Sequence, residues 1–319
     1  VLSDIGAFGG LFKPELSGMA QPVLVASADG VGTKLKVAFG TGRHTTIGHD
    51  LVNHCVNDIL VQGARPIFFL DYLATGRLSL DVSESVIRGV AKGCKENRCA
   101  LLGGETAEMP GFYADGEYDL AGFIVGLVDR DRIIDGRDIE PGDVLIGLPS
   151  TGLHTNGYSL ARRIIFDELK LDFDTEVEDF GCSVAEELLR PHCSYQASMF
   201  PVISTGHVKG IAHITGGGLT DNIPRILPKG CRAFIDRSSW SVPSIFEFLS
   251  RNGGVPVDDM YRTFNMGIGL VVICGRNETH NVLAKLISCG EVGAVRIGEI
   301  REGDCGVEYG KNESPSVPA

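Results

Sequence analysis

Four short segments in the first third of the chain combine carboxylates, one lysine and flexible glycines. They are residues 29–34 (Asp-Gly-Val-Gly-Thr-Lys), 57–58 (Asn-Asp), Asp71, and 103–108 (Gly-Gly-Glu-Thr-Ala-Glu). Glycines let backbone N–H groups approach phosphate oxygens, a lysine offsets phosphate charge, and carboxylate oxygens are ligands that Mg²⁺ prefers. No Walker A pattern is present. The segments therefore predict a site for a nucleoside triphosphate and its magnesium that does not use a P-loop.

Segment 29–34 directly follows an apolar, β-rich stretch. Ligand-binding loops of α/β folds lie at the carboxyl ends of strands, so we predict Asp29 to be a metal ligand. Lys34 is predicted to be a counter-charge, either for phosphate or within the structure. Phosphate contacts are predicted for Gly30, Gly32 and Thr33. The alternative is an ordinary Asp-Gly turn.

A second set of polar residues follows helical spacing. Asp50, His54, Asn57 and Asp58 lie at i, i+4, i+7 and i+8 within a stretch that is otherwise apolar. An ionised carboxylate is costly to bury without a partner, which a bound cation would supply. We predict Asp58 as a catalytic metal ligand, Asp50 and Asn57 as ATP-binding residues, and His54 as structural.

Further acids end two other apolar runs. Asp71 follows Ile-Phe-Phe-Leu, and Glu105 follows Ala-Leu-Leu-Gly-Gly, so both are expected at carboxyl ends of strands. Glu105 is predicted to be a catalytic metal ligand, whereas Glu108 could equally be a surface helix cap. The predicted ATP-binding residues of these segments are Asp71, Gly103, Gly104 and Thr106.

Two glycine-containing loops in the second half each lie between a predicted strand and a predicted helix. A helix amino terminus attracts anions, so both are predicted phosphate sites, against the alternative of plain capped turns. His154 in the first loop could act as general acid or base, although one loop histidine proves nothing. The predicted substrate-binding residues are Asn156, Gly157, Ser159, Gly216, Gly217, Gly218 and Asn222.

Composition excludes several classes of protein. The chain has 319 residues, of which 43% are hydrophobic, and its formal net charge is −12. That charge argues against general affinity for nucleic acid or anionic membrane. Nine cysteines without a CxxC pair favour reduced thiols and a cytoplasmic protein, and no apolar run reaches the length of a membrane helix.

The pattern of apolar residues predicts an α/β (α+β) protein with two domains. Strands are expected at 22–28, 66–73, 99–103 and 119–128, with helices at 46–63 and 80–97, giving β-α-β-α-β-β. After a polar, turn-prone boundary, a second α/β domain with a mixed sheet is expected. The predicted divisions are 1–136, 137–302 and a linker-like tail at 303–319. Apolar residues in the last strand of the first domain predict dimerisation through that sheet.

These motifs in this order closely resemble the phosphoribosylformylglycinamidine cyclo-ligase family, also called aminoimidazole ribonucleotide synthetases. The family's signatures are matched by residues 29–34, 55–64, 68–72, 102–110, 154–159, 213–218, 222–225 and 261–267. The match covers residues 4–300. Related ATP-using families share the layout but not Gly-Gly-Glu-Thr-Ala-Glu-Met-Pro or Tyr-Arg-Thr-Phe-Asn.

The resemblance implies ATP-dependent cyclisation of formylglycinamidine ribonucleotide in purine biosynthesis, giving 5-aminoimidazole ribonucleotide, ADP and phosphate. It further implies a homodimer whose amino-terminal sheets combine into a barrel. Mg²⁺ would bind Asp29, Asp58 and Glu105. The two later loops would hold the substrate phosphate or the ATP phosphates, with the assignment between them open.

The sequence also departs from the family pattern. Arg65 replaces a common acid, Asn53 and His54 replace small or apolar residues, and Met266 replaces a usual cysteine, which is therefore not required for chemistry. The family's glycine-rich leader is not seen before Asp4. We expect either a trimmed bacterial-type enzyme or the middle part of a trifunctional polypeptide with other purine-pathway domains. The alternative functions are a kinase or synthetase component of the same superfamily, or a non-catalytic nucleotide-binding subunit.

Overall fold

The amino-terminal sheet consists of Pro22–Gly30 (β1), Arg65–Thr75 (β2), Ala100–Glu108 (β3) and Tyr118–Asp129 (β4). It is seen in a computed structural model that describes residues 1–3, 6 and 8–310. The strand order is β1-β4-β2-β3, with β2 and β3 parallel and the other pairs antiparallel. All four strands were predicted. However, β3 extends five residues past its predicted end, so Glu105 lies within the strand rather than after it.

Three helices accompany this sheet: Leu35–Thr41 (α1), Ile47–Leu60 (α2) and Leu80–Glu96 (α3). The helices α2 and α3 agree with prediction, whereas α1 was not predicted. The side chains of α2 that recur with helical spacing, including Leu51, Cys55 and Ile59, are almost fully buried. Gly48 allows α2 to approach α3 closely, because a Cβ there would overlap the backbone carbonyl of Val86. The apolar stripe and the small contact residue together explain the close pairing of these two helices.

The other face of this sheet is exposed in part, although the ring of Phe12 packs against Phe68 of β2 at 5.5 Å between centroids. Phe123 on β4 remains 45% exposed and Leu24 on β1 remains 65% exposed. Leu120, which was predicted to belong to the same apolar face, is instead fully buried. Strand residues alternate between the two faces, so Leu120 and Phe123 point in opposite directions.

Residues 151–197 have most of their contacts with the amino-terminal sheet and its helices. They contain Tyr158–Arg162 (α4), which continues as a π-helical turn over Arg163–Glu168, then the short strands Glu176–Val177 (β6) and Cys182–Ser183 (β7). Val184–Leu188 (α5) and Gln196–Ile203 (α6) follow. The chain therefore forms two compact units, one of residues 1–133, 151–197 and 251–254, the other of the remaining residues. The predicted division after residue 136 separates the two sheets, but it assigns residues 151–197 to the second domain.

The second sheet consists of Val144–Pro149 (β5), Val208–His213 (β8), Cys231–Asp236 (β9), Ile268–Cys274 (β10), Val295–Glu302 (β11) and Val307–Gly310 (β12). Its order is β12-β9-β11-β5-β10-β8, antiparallel except for the pair β12 and β9. Its helices are Gly218–Asn222 (α7), Ser244–Asn252 (α8), Val257–Thr263 (α9) and Thr279–Ser288 (α10). The mixed sheet agrees with prediction.

The end of the chain differs from prediction. Residues 303–319 were expected to form a tail, but residues 307–310 pair with β9 in the second sheet. The rest of the predicted tail, 311–319, lies outside the described residues. Within the described part of the chain, no helix is both long and apolar enough to cross a membrane.

Candidate functional site

A row of four residues crosses the amino-terminal sheet at one level. Asp29 on β1 pairs with Gly122 on β4, Gly122 pairs with Asp71 on β2, and Asp71 pairs with Gly104 on β3. Directly paired residues project to the same face, so the two carboxylates share a face, about 10 Å apart across the intervening strand. A Cβ on Gly104 would overlap the carboxylate and carbonyl of Asp71. The glycine is therefore needed to make room for the acid beside it.

His54 on α2 brings two acids together. Its Nε2 atom lies 2.8 Å from Oδ2 of Asp29 and 3.8 Å from Oδ2 of Asp58. The hydroxyl of Ser27 donates to the same Asp58 oxygen at 3.1 Å, and Asp29 accepts the N–H of Gly30 at 2.7 Å. Both carboxylates keep exposed area, 42% for Asp29 and 23% for Asp58. The prediction that both acids belong to one site is thus supported by geometry, and the structural histidine is their shared contact.

The pKa values of Asp29, His54 and Asp71 are shifted for different reasons. Burial tends to raise the pKa of Asp29, but the hydrogen bond and charge of His54 hold it below its usual value. Burial tends to lower the pKa of His54, but Asp29 and Asp58 raise it above its usual value. Among the described residues Asp71 has no such cationic partner, and burial raises its pKa from 3.8 to about 6. Asp29 is therefore ionised near neutrality, whereas Asp71 gains charge only as the pH rises through about 6.

The structure does not bring Glu105 to this face. Glu105 pairs with Tyr72, the residue after Asp71, so alternation along the strand places it on the opposite face, where it is exposed. The prediction that Glu105 binds the same ion as Asp29 and Asp58 is therefore wrong within a single chain, because Glu105 lies on the other face of the sheet. The error followed from ending β3 at residue 103, since a residue in a loop has no fixed face.

Lys34 and Asp50 form a fully buried ion pair. Nζ of Lys34 lies 2.7 Å from Oδ2 of Asp50, and both side chains are 0% exposed. The ammonium also donates to the carbonyl oxygens of Arg190 and His154, at 2.8 and 3.3 Å. The predicted contacts of Lys34 and Asp50 with phosphate are therefore corrected. The sequence left open whether Lys34 is a counter-charge for phosphate or within the structure. The structure shows the second role, with Asp50 as the partner.

Asn57 is likewise occupied inside the domain. Its side-chain amide donates to the carbonyl oxygen of Cys193 at 2.9 Å and contacts Nε2 of His192 at 3.1 Å, while its Oδ1 accepts the N–H of Tyr195 at 3.0 Å. It is 0% exposed. The prediction of ATP binding is corrected to a structural role, which is holding the 192–195 segment against α2.

The loop of residues 151–157 lies against these same residues. His154 has a left-handed backbone, with φ of 60°, and its ring is buried and stacked on that of His192 at 4.0 Å between centroids. Its Nε2 accepts the N–H of Thr151 at 3.2 Å and contacts the thiol of Cys193 at 3.5 Å. This burial argues against direct proton exchange between His154 and a substrate. The ring instead fixes the shape of the loop.

Other predicted substrate residues of this loop remain accessible. Asn156 and Gly157 are half-buried, and Ser159 is exposed. The hydroxyl of Ser159 lies 3.1 Å from that of Thr33, so the turn after β1 and the first turn of α4 meet. The sequence placed Thr33 and Ser159 in separate sites, and the structure joins them.

The glycine run before α7 lies in the second unit. Gly217 and Gly218 have φ of 100° and 58°, and a Cβ on Gly218 would overlap the carbonyl of Tyr261. The side-chain amide of Asn222 donates to the carbonyl oxygens of Gly216 and Gly218 at 3.1 and 2.9 Å. These residues thus have structural roles that sequence reasoning missed.

Comparison with known proteins assigns the family. Models described as AIR synthase related protein match residues 17–128 with the N-terminal domain and 140–310 with the C-terminal domain. The phosphoribosylformylglycinamidine cyclo-ligase of Geobacter metallireducens is 55% identical over 97% of this chain and 88% of its own length. The enzymes of the same name from Trichlorobacter lovleyi and Alkaliphilus oremlandii are 54% and 50% identical, over 94% and 95% of this chain and 86% and 89% of their own. The chain belongs to the phosphoribosylformylglycinamidine cyclo-ligase family.

Solved structures of more distant proteins share this family's fold. A thiamine-monophosphate kinase from Stenotrophomonas maltophilia is 21% identical with a TM-score of 0.72, covering 98% of this chain and 92% of its own. The hydrogenase maturation protein HypE, solved in complex with ATP, is 19% identical with a TM-score of 0.69, covering 97% and 86%. At such identities the likeness shows the fold alone. The two-domain α/β architecture expected from the family resemblance is confirmed.

The sequence did not predict that Thr155 and His192 lie beside His54. Thr155 accepts or donates through its hydroxyl to Nδ1 of His54 at 2.7 Å and to Nδ1 of His192 at 3.3 Å. His192 and Thr155 are far from His54 along the chain. His192 belongs to none of the quoted motifs, and Thr155 lies within the 154–159 signature but was assigned no role. Only the packing of the 151–157 loop and the 190–195 segment on α2 brings them together.

Proposed function

We propose that this protein catalyses ATP-dependent cyclisation of formylglycinamidine ribonucleotide to 5-aminoimidazole ribonucleotide, with release of ADP and phosphate, in de novo purine biosynthesis. The observation that carries this proposal is identity of 50–55% with cyclo-ligases over nearly the whole chain. Such a reaction requires carboxylates and phosphate-binding loops. Asp29, Asp58 and Asp71 are proposed to supply the carboxylates, and the loops at 151–157 and 216–218 are proposed to bind phosphate.

The reaction is a C–N bond formation driven by phosphoryl transfer. The γ-phosphoryl group of ATP passes to the formyl amide oxygen, which converts that oxygen into a phosphate leaving group. The amidine nitrogen then attacks the same carbon, the C–O bond breaks, and phosphate departs. Most of the protein's contribution to such chemistry is positioning and stabilisation of developing negative charge.

Asp29 and Asp58 are the residues we assign to magnesium. Their donors are carboxylate oxygens, both are partly exposed, and both lie within 4 Å of the same His54 nitrogen. This oxygen-rich set fits Mg²⁺, which would offset charge on the transferred phosphoryl group. We assign Asp71, on the same face, to the triphosphate or a second ion. Gly30, Gly32, Thr33, Gly103, Gly104 and Thr106 remain proposed ATP contacts.

The loops carrying Asn156, Gly157, Ser159 and the run Gly216, Gly217, Gly218 are proposed phosphate or ribose contacts. We propose a homodimer formed through the partly exposed face of the amino-terminal sheet, where Leu24 and Phe123 are exposed, with the two sheets combining into a barrel. A cytoplasmic location and association with other purine-pathway domains are part of the same proposal.

The test is simultaneous measurement of ADP and 5-aminoimidazole ribonucleotide from formylglycinamidine ribonucleotide, ATP and Mg²⁺. The variant is Asp58→Asn, and the matched control is Glu84→Gln, which neutralises an exposed acid of α3 paired with Arg88. Both products should appear in equal amounts with wild type and Glu84→Gln, and be lost in Asp58→Asn. ADP release that depends on a different small molecule would instead favour a kinase or synthetase of the same superfamily.

A further inference from the structure

The ammonium of Lys34 has an acceptor for each of its three protons. These acceptors are Oδ2 of Asp50, the carbonyl oxygen of Arg190 and the carbonyl oxygen of His154, at 2.7, 2.8 and 3.3 Å. A lysine ammonium has three donors and no acceptor, so all of its hydrogen-bonding capacity is used. Its side chain is 0% exposed, and it could reach phosphate only by breaking this set.

The three acceptors lie on three separate stretches of chain. Asp50 is on α2, His154 is at the turn of the 151–157 loop, and Arg190 precedes His192. Oδ1 of Asp50 also accepts the N–H of His192 at 2.7 Å. The ion pair therefore holds both the loop and the 190–192 segment against α2.

The loop needs such support because His154 is held in an unfavourable conformation. A φ of 60° is uncommon for any residue other than glycine, although histidine, like asparagine and aspartate, adopts it more often than most, and it persists where surrounding contacts impose it. The bond from Lys34 reaches the carbonyl of that same residue. Further contacts of the loop include the His154 ring with Thr151 and Cys193, the Thr151 hydroxyl with the carbonyl oxygen of Pro191, and the Thr155 hydroxyl with the rings of His54 and His192.

We propose that Lys34 is a positioning residue: its buried ammonium sets the conformation of the 151–157 loop that carries Asn156 and Gly157. The inference rests on the proposed function in one respect, which is that this loop contacts substrate. In this role Lys34 does not bind phosphate, although its Gly-Thr-Lys motif suggests that it would. The motif instead places a counter-charge beneath the loop.

Three variants separate this role from general stabilisation. Lys34→Met removes all three bonds but leaves Asp50 buried without its cation, so this single variant could fail to fold. Lys34→Met/Asp50→Asn neutralises both members, and the new amide oxygen can still accept from His192. Asp50→Asn alone keeps both bonds from Lys34 to carbonyl oxygens but leaves the buried ammonium without a counter-charge, so its destabilisation should spread over the whole unit rather than stay in the loop.

The measurement is hydrogen–deuterium exchange in the free protein. Peptides covering 151–157 and 190–193 should exchange about tenfold to a hundredfold faster in Lys34→Met/Asp50→Asn, the range implied by loss of one charged hydrogen bond. The exposed control Glu84→Gln should leave them at the wild-type rate. Peptides of β2 and β4 should be unchanged in both proteins.

Two results would overturn the proposal. One is wild-type exchange of the loop in the double variant, and the other is faster exchange in that same variant spread evenly over β2, β4 and the loop. A second arm measures equilibrium binding of Mg²⁺-ATP and steady-state turnover. A positioning role predicts lower kcat with unchanged ATP affinity, whereas a phosphate contact predicts weakened ATP binding with an unchanged loop. Failure of the cyclo-ligase assay in wild type would refute the proposed function and leave the exchange result standing.

Discussion

Asp71 is expected to make the stability of the apo protein depend on pH. Its carboxyl is buried between Gly104 and Gly122, and burial raises its pKa from 3.8 to about 6. A carboxyl whose folded-state pKa is raised favours folding while it is protonated, below 3.8, and this contribution is lost as the pH rises through about 6. The full loss is about 3 kcal/mol, since each pKa unit corresponds to about 1.4 kcal/mol.

Asp71→Asn removes the titrating group with little change in shape. The free energy of unfolding of this variant, minus that of wild type, should therefore increase by about 1.4 kcal/mol between pH 5 and pH 7.5. The remainder of the loss lies below pH 5. Urea denaturation in the presence of a chelator at several pH values measures the difference directly.

The matched control is Asp119→Asn, which changes an exposed aspartate of β4 in the same sheet. Its unfolding free energy should follow that of wild type across the same range. A difference between Asp71→Asn and wild type that does not change with pH would refute the reasoning. It would mean that Asp71 is solvated or paired in the folded protein.

Three further predictions concern packing and association. Gly48→Ala should lower the free energy of unfolding by about 3 kcal/mol in urea denaturation, because its Cβ meets the carbonyl of Val86. Gly275→Ala is the control for added bulk, because Gly275 has an ordinary φ of −59° and its Cβ would meet no atom closer than 4.0 Å. Asn57→Ala should cost about 2–4 kcal/mol in the same assay, because it leaves several buried polar groups without partners, and a loss below 1 kcal/mol would contradict this. Phe123→Glu should convert the proposed dimer to monomer in sedimentation velocity while the circular dichroism spectrum stays unchanged; a dimer that persists would place the interface elsewhere.

The sequence alone determined the family and the order of the longer strands and helices of the first domain. Strands β1, β2 and β4 and helices α2 and α3 were predictable because their apolar residues recur with the period of the element over many residues. Asp29 and Asp58 were assigned to one proposed site because both belong to local motifs whose residue types suit one chemistry, and both do lie beside His54. These signals are local, so no knowledge of distant neighbours is needed to read them.

Only the tertiary structure decided which polar residues face the site. Glu105 differs from Asp71 by one position in strand register, and that single step places it on the opposite face of the sheet. Lys34 belongs to a glycine-rich motif that suggests phosphate, yet its acceptors come from Asp50, His154 and Arg190. Residues more than a hundred positions apart supply two of those acceptors. A charged side chain takes the role its buried partners allow, and those partners are brought together by packing rather than by spacing along the chain.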